Sequence, residues 1–108
     1  MHVNDLLKNA VGAGASDLHI KVGSYPMMRV LGNLVPVHED KRLDHEDVVA
    51  MSAAVMSKVH ADKFKEAQEV DLAYGVTGLG RFRVNVFQQR GTIGFVFRVI
   101  PTQIKSIE

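Results

Sequence analysis

Four arginines carry the chemistry most worth following: Arg81, Arg83, Arg90 and Arg98. With Lys105 they face a single acid, Glu108, over residues 77–108, a net charge of +4. Residues 1–76 hold 8 Lys/Arg against 11 Asp/Glu, a net of −3. A basic element concentrated in a chain of net charge +1 points to one localised anion more than to a general affinity for nucleic acid. The spacing narrows the choice further. Phe82, Val84 and Val86 alternate, as do Phe95, Phe97 and Val99, and a turn at Arg90-Gly91 pairs positions whose numbers sum to 181. Phe82 then faces Val99, Val84 faces Phe97 and Val86 faces Phe95, and a slip of one residue would turn every one of them to the wrong face. The same register sets Arg83 directly opposite Arg98 on the other face. Like charges across a strand pair are destabilising by a fraction of about 1 kcal/mol, and a phosphate-type anion would relieve the repulsion, because guanidinium forks match its oxygens. The competing arrangement is a solvated ion-pair patch in which Asp71, on the same face of the neighbouring strand, neutralises Arg83. Arg81 and Arg90 sit near strand ends, where solvent exposure accounts for them, and are weak candidates for the same ligand.

Other chemistries find less support. The chain has no cysteine, so a disulfide framework, a thiolate metal site and a cysteine nucleophile are excluded. The five histidines (His2, His19, His38, His45, His60) show neither H-x-H nor H-E-x-x-H spacing, and no metal site is expected. Asp17 and His19 share a strand face and read as a polar surface pair in preference to an acid–base couple. Gly12-Ala13-Gly14 follows a helix and lacks the third glycine of a dinucleotide fingerprint, and no G-x-x-x-x-G-K-[ST] phosphate loop occurs.

The elements that must position the arginines follow from periodicity. Val3 to Val11 reads as a helix capped by Asn4 and ended by Gly12 and Gly14. Asp17–Val22 alternates, with Leu18, Ile20 and Val22 on one side and Asp17, His19 and Lys21 on the other, as a half-buried strand does. Met27–Leu31 is a second strand, closed by a Gly32-Asn33 hairpin turn. Asp44 caps a helix with Glu46 and Asp47 in its first turn and a Leu43–Val48 staple. Its stripe runs Val48, Met51, Val55, Val59, a bend falls near Ser57, and a short helix covers about His60 to Ala67. Met51 and Met56 are read as packing residues. From Val70 the period becomes two, and three strands in succession make an antiparallel meander with one buried face. The fold class is therefore α+β: an antiparallel sheet with a C-terminal three-stranded meander, packed against helices. Residues 1–100 form one domain, and 101–108 (PTQIKSIE) read as the start of a linker. No uncharged stretch is long enough to cross a bilayer, and Asp5 interrupts the lead before any apolar run, which argues against a signal peptide. A soluble, cytoplasmic domain is expected.

Two segments carry a resemblance. Ala15-Ser16-Asp17-Leu18-His19 is followed by Pro26 and Arg29, and Leu79-Gly80-Arg81-Phe82-Arg83-Val84-Asn85-Val86-Phe87 by Gln89-Arg90-Gly91 and Phe97-Arg98-Val99-Ile100-Pro101. At this spacing the chain, over essentially all 108 residues, resembles the N-terminal domain of the type IV pilus retraction (twitching motility, PilT-like) ATPases of the type II/IV secretion ATPase family. Tyr25-Pro26 departs from the family's frequent double proline. The lead of about fifteen residues before the ASDLH segment favours the retraction type over assembly and secretion members.

The resemblance implies a PAS-like domain joined by a short linker to a RecA-like ATPase domain that carries the phosphate loop. It implies hexameric rings with ATP and Mg between the domains, and arginine contacts to the nucleotide phosphates from the positions matched by Arg83 and Arg98. Partners would be the chain's own RecA-like domain, neighbouring subunits and an inner-membrane pilus platform protein, with no nucleic acid and no membrane insertion. The domain would be cytoplasmic, at the inner-membrane pilus machinery. Alone it would not hydrolyse ATP or hold nucleotide tightly. The alternative is a stand-alone PAS-like ligand-binding or sensor module. That needs a polar group on the core face to orient a ligand, and the expected core face offers none. A nucleic-acid interface would need aromatic side chains among the arginines, and Phe87 alone qualifies.

Overall fold

A computed structural model describes residues 2–101, Gln89 by its backbone only. Its elements run α1 (Val3–Gly12), β1 (Asp17–Lys21), β2 (Met27–Val30), β3 (Asn33–Pro36), α2 (His45–Val55), α3 (Lys58–Ala67), β4 (Glu69–Val76), β5 (Gly80–Gln89) and β6 (Thr92–Val99). The six strands form one antiparallel sheet in the order β3-β2-β1-β6-β5-β4. The α+β class and the C-terminal meander are as expected. The linker expectation, 101–108, lies outside the described residues beyond Pro101.

One face of the sheet is covered. Leu18 and Ile20 of β1, Val70 and Leu72 of β4, Phe82, Val84 and Val86 of β5, and Phe95 and Phe97 of β6 point into a core completed by Val3, Leu6, Leu7 and Ala10 of α1, Val48, Met51 and Val55 of α2, and Phe64 of α3. Phe97 is the hub, with edge-on ring contacts to Phe95 at 5.9 Å and Tyr74 at 6.3 Å between centroids. Among the described residues the one buried polar group is Ser52, whose hydroxyl donates to the Val49 carbonyl one turn back. The core therefore presents no free polar group to orient a small ligand, which counts against the sensor alternative.

The caps show where local chemistry differs from the expectation. His2, not Asn4, caps α1: its Nδ1 accepts from the Asn4 N–H at 3.0 Å. Asn4 lies inside the helix, and its Oδ1 accepts from the Tyr74 hydroxyl at 2.6 Å, tying α1 to β4. Asp44 caps α2 as expected, in a capping box with Asp47, and Leu43 and Val48 are both buried. The apolar stripe stops at Val55, because Ser57 starts a new helix in a capping box with His60. Val59 falls in the first turn of α3 and is 63% exposed. Histidines thus serve as backbone acceptors at His2, at His60 and at His38, which accepts from the Asp40 N–H.

The β2–β3 turn is displaced by one residue from the expected Gly32-Asn33. Val30 pairs with Asn33, so the tip is Leu31-Gly32, with φ of 52° and 84°. A primed turn needs positive φ at both central residues. Leucine disfavours that conformation by about 1–2 kcal/mol, and Leu31 is 96% exposed. Arg29 Nη1 donates to the Gly32 carbonyl at 3.1 Å across the tip. Leu31→Asn is therefore expected to raise stability by about 1 kcal/mol, read as a higher urea midpoint at unchanged slope. A lower midpoint would show that Leu31 packs against something.

Candidate functional site

The uncovered face of the sheet carries a row of paired residues running through all six strands: Leu34, Arg29, Asp17, Arg98, Arg83 and Ala73. The β5–β6 register is the one the apolar pattern requires, with Phe82 opposite Val99, Val84 opposite Phe97, Val86 opposite Phe95 and Arg83 opposite Arg98. The turn that fixes it is Arg90-Gly91, at φ of 55° and 80°. Arg83 and Arg98 are exposed and line an open depression of about 360 Å³ together with Asp71, Val84, Asn85 and Val96. Among the described residues neither guanidinium group takes part in a hydrogen bond or ion pair.

Asp71 makes no ion pair with Arg83 among the described residues. It lies opposite Asn85, whose Nδ2 donates to Asp71 Oδ1 at 2.9 Å and to Glu69 Oε2 at 3.0 Å, while Ala73 stands opposite Arg83. Two guanidinium groups with free donors, set side by side at an open depression, suit an anion with several oxygens. Arg81 is not part of this group: it lines a separate depression at the β4–β5 loop with residues 75–80. Arg90 is in the β5–β6 turn, seven residues on from Arg83 and about 23 Å away at strand rise.

On the far side of Arg98, Asp17 gathers three donors. The Ser16 hydroxyl donates to Oδ1 at 2.6 Å, His19 Nε2 lies 2.9 Å from Oδ2, and Arg29 Nε donates to Oδ2 at 3.3 Å. Burial alone would raise the Asp17 carboxyl, but the hydrogen bonds from Ser16, His19 and Arg29 outweigh it and hold the group below the usual aspartate range. On α2, the Asp44 backbone N–H, against the opposing effect of desolvation, and Lys41 lower Asp47 in the same way. A carboxyl lowered on folding stabilises the fold above its unfolded pKa and loses that contribution as pH falls through the folded value. Thermal stability is expected to decline once pH drops below about 4, with a shallower decline in Asp17→Asn. A midpoint flat from pH 5 to about pH 2 would contradict this.

The Asp17–Arg29 pair was missed at the sequence level, where Arg29 figured only in a motif. The signal was present: a register for the β1–β2 hairpin places the two directly opposite. Phe87 lies across Gly94 on the open face, its ring occupying the space a Cβ would take, 2.8 Å from Cε2 and Cζ. It is spent on covering the glycine, not on offering a stacking platform among the arginines. Gly94→Ala would require the Phe87 ring to shift.

No family model matches the chain. The type IV pilus retractation ATPase PilT and the type IV pilus ATPase PilU, both of Pseudomonas aeruginosa, are each 37% identical to it over all 108 residues. A twitching motility protein of Neisseria gonorrhoeae is 31% identical over 83 residues, 77% of the chain and 22% of that protein. The chain spans 31% of PilT and 28% of PilU, about a third of the length of these curated relatives. Among solved structures, the pilus retraction motor PilT with bound ADP matches 97% of the chain, and 31% of its own, at TM-score 0.89 and 37% identity. The ATPase DotB of Legionella pneumophila matches 92% of the chain and 29% of its own at TM-score 0.78; at 22% identity it shows the fold alone. Identity from end to end, joined to a shared six-stranded fold, identifies the chain as an N-terminal domain of a PilT-like ATPase.

Proposed function

We propose that the domain places Arg83 and Arg98 on the phosphates of ATP held by a RecA-like domain of the same polypeptide, within a hexameric motor that retracts type IV pili. The observation that carries this reading is the arginine pair itself: two neighbouring guanidinium groups, exposed and without an acidic partner among the described residues, at one open depression. Left unliganded, the pair costs a fraction of about 1 kcal/mol; with a polyphosphate between them the same charges become preorganised binding groups.

ATP with Mg supplies the transferable phosphoryl group. The contribution of this chain is charge and orientation. Arg83 and Arg98 hold the phosphate oxygens, stabilise charge that grows on them during transfer, and report nucleotide state to the sheet that carries them. In the depression Asp71 is the one carboxylate, and its Oδ1 is engaged by Asn85, so the Mg ligands and phosphate loop are assigned to the companion domain. Partners on this reading are that domain, neighbouring subunits and an inner-membrane platform protein, with the motor on the cytoplasmic side. No helix among the described residues is long and apolar enough to cross a membrane.

A gene deletion tests the direction of the motor. Loss of a retraction motor leaves cells that still display pili but no longer spread by twitching, and the wild-type gene restores spreading where Arg98→Ala does not. Cells without surface pili would overturn retraction in favour of assembly.

A further inference from the structure

The arginine pair is bordered by a carboxylate on each side, and neither carboxylate is bonded to it. Asp17 stands directly opposite Arg98 across β1–β6, with Arg29 directly opposite Asp17 on its other side. Residues paired on one face of a sheet have Cβ atoms about 4.5–5.5 Å apart, so Asp17 has a choice between two arginines. Both of its oxygens are engaged by groups other than Arg98, Oδ1 by the Ser16 hydroxyl and Oδ2 by His19 and Arg29. Backbone bonds hold that choice in place: the Ser16 N–H donates to the Arg29 carbonyl and the Val99 N–H to the Ser16 carbonyl, both at 2.9 Å. At the other border, Asp71 lines the depression with Arg83, yet its Oδ1 is occupied by Asn85 Nδ2. Asn85 shares the depression and lies two residues along β5 from Arg83, on the same face. A carboxylate beside a free arginine is the most direct competitor a phosphate has, since both accept from the same fork.

We propose that Arg29 and Asn85 are positioning residues of the anion site: by holding Asp17 and Asp71 they keep those carboxylates off Arg98 and Arg83 and leave the pair open to a polyphosphate. This rests on the reading of Arg83 and Arg98 as phosphate ligands. Neither Arg29 nor Asn85 need touch the anion. Loss of Asn85 frees Asp71 Oδ1 toward Arg83, and loss of Arg29 leaves Arg98 as the one arginine facing Asp17 across the strands, with Ser16 and His19 still on the carboxylate.

The test is a pair of double-mutant cycles on the chain, titrated with inorganic triphosphate at neutral pH and low salt, each variant first checked for a folded spectrum. Asn85→Ala leaves net charge unchanged, so bulk electrostatics gives it no effect. Release of Asp71 predicts binding weakened about three- to tenfold. In an Asp71→Asn background the same substitution is expected to change affinity less than about twofold. Arg29→Gln and Asp17→Asn form the second cycle with the same pattern, and Arg29→Lys replaces Arg29→Gln if the latter unfolds. An Asn85→Ala effect that persists undiminished beside Asp71→Asn marks a direct contact to the anion and overturns the proposal, as do additive effects in the Arg29–Asp17 cycle. Failure of the underlying reading looks different: the unsubstituted chain does not bind triphosphate, or binds it equally well as Arg83→Ala. Either result overturns both claims together.

Discussion

On the proposed function, Arg83→Ala and Arg98→Ala, each introduced into a full-length protein carrying this domain, are expected to lower ATP turnover by at least about a hundredfold while leaving the domain folded. Each arginine is exposed and, among the described residues, carries no ion pair or hydrogen bond that its removal would break. Each truncation also removes one half of a like-charge pair, so the melting midpoint of the isolated domain should stay level or rise slightly. A loss of activity without a loss of stability separates a ligand-directed charge from a structural one. The size follows from what an arginine does beside a transferring phosphoryl group, where charge-stabilising guanidinium groups contribute about 10³–10⁵ in rate. Because the charge on the phosphate oxygens grows toward the transition state, the loss should fall mainly on kcat, with KM changed less. Arg90→Ala, in the β5–β6 turn about 23 Å away at strand rise, should leave turnover unchanged. Turnover at the unsubstituted rate in both Arg83→Ala and Arg98→Ala would contradict the assignment.

Phe97→Ala has the opposite profile. Phe97 is fully buried, points into the core from β6 between the helices and the sheet, and makes ring contacts with Phe95 and Tyr74. Deleting a buried phenylalanine costs about 3–5 kcal/mol through lost transfer energy and the cavity left behind. A domain of this size is stable by about 5–15 kcal/mol in total. The expected result is a melting midpoint at least about 12 °C lower, with triphosphate binding intact at temperatures where the protein remains folded. The adjacent residue in the chain, Arg98, points to the opposite face, so two neighbouring substitutions should give one stability defect and one binding defect. A drop of less than about 5 °C for Phe97→Ala would mean the three-ring cluster does not hold β4 and β6 together.

That division between faces explains how much could be read in the sequence. The meander and its register were legible because each strand buries one face, so Phe82, Val84, Val86, Phe95, Phe97 and Val99 admit a single pairing once Arg90-Gly91 is taken as the turn. From that pairing the Arg83–Arg98 juxtaposition followed. The insertion of β1 between β2 and β6 was not legible, since a pairing between Asp17 and Arg98, 81 positions apart, leaves no local periodicity. It is this pairing that brings Asp17 beside the arginines. Side-chain hydrogen bonds were the other hidden layer. Asp71 shares a face with Arg83 and was a reasonable ion-pair partner, but the β4–β5 register puts it opposite Asn85 instead. His2 caps α1, a role for which serine, threonine, asparagine and aspartate are the usual candidates, and His60 closes the α3 capping box from the position where glutamate or glutamine is usual. Leu31 adopts a turn conformation that residue preferences assign to glycine or asparagine.

The central claim is that Arg83 and Arg98 act together on one polyphosphate, and the most direct measurement follows the arginine side-chain N–H resonances of the chain as inorganic triphosphate is added. Saturable shifts of Arg83 and Arg98 with a common dissociation constant, with Arg81 and Arg90 unmoved, are the predicted result. Equal, non-saturating shifts of all four arginines would contradict it, because that is the response of a diffuse basic surface and not of a site.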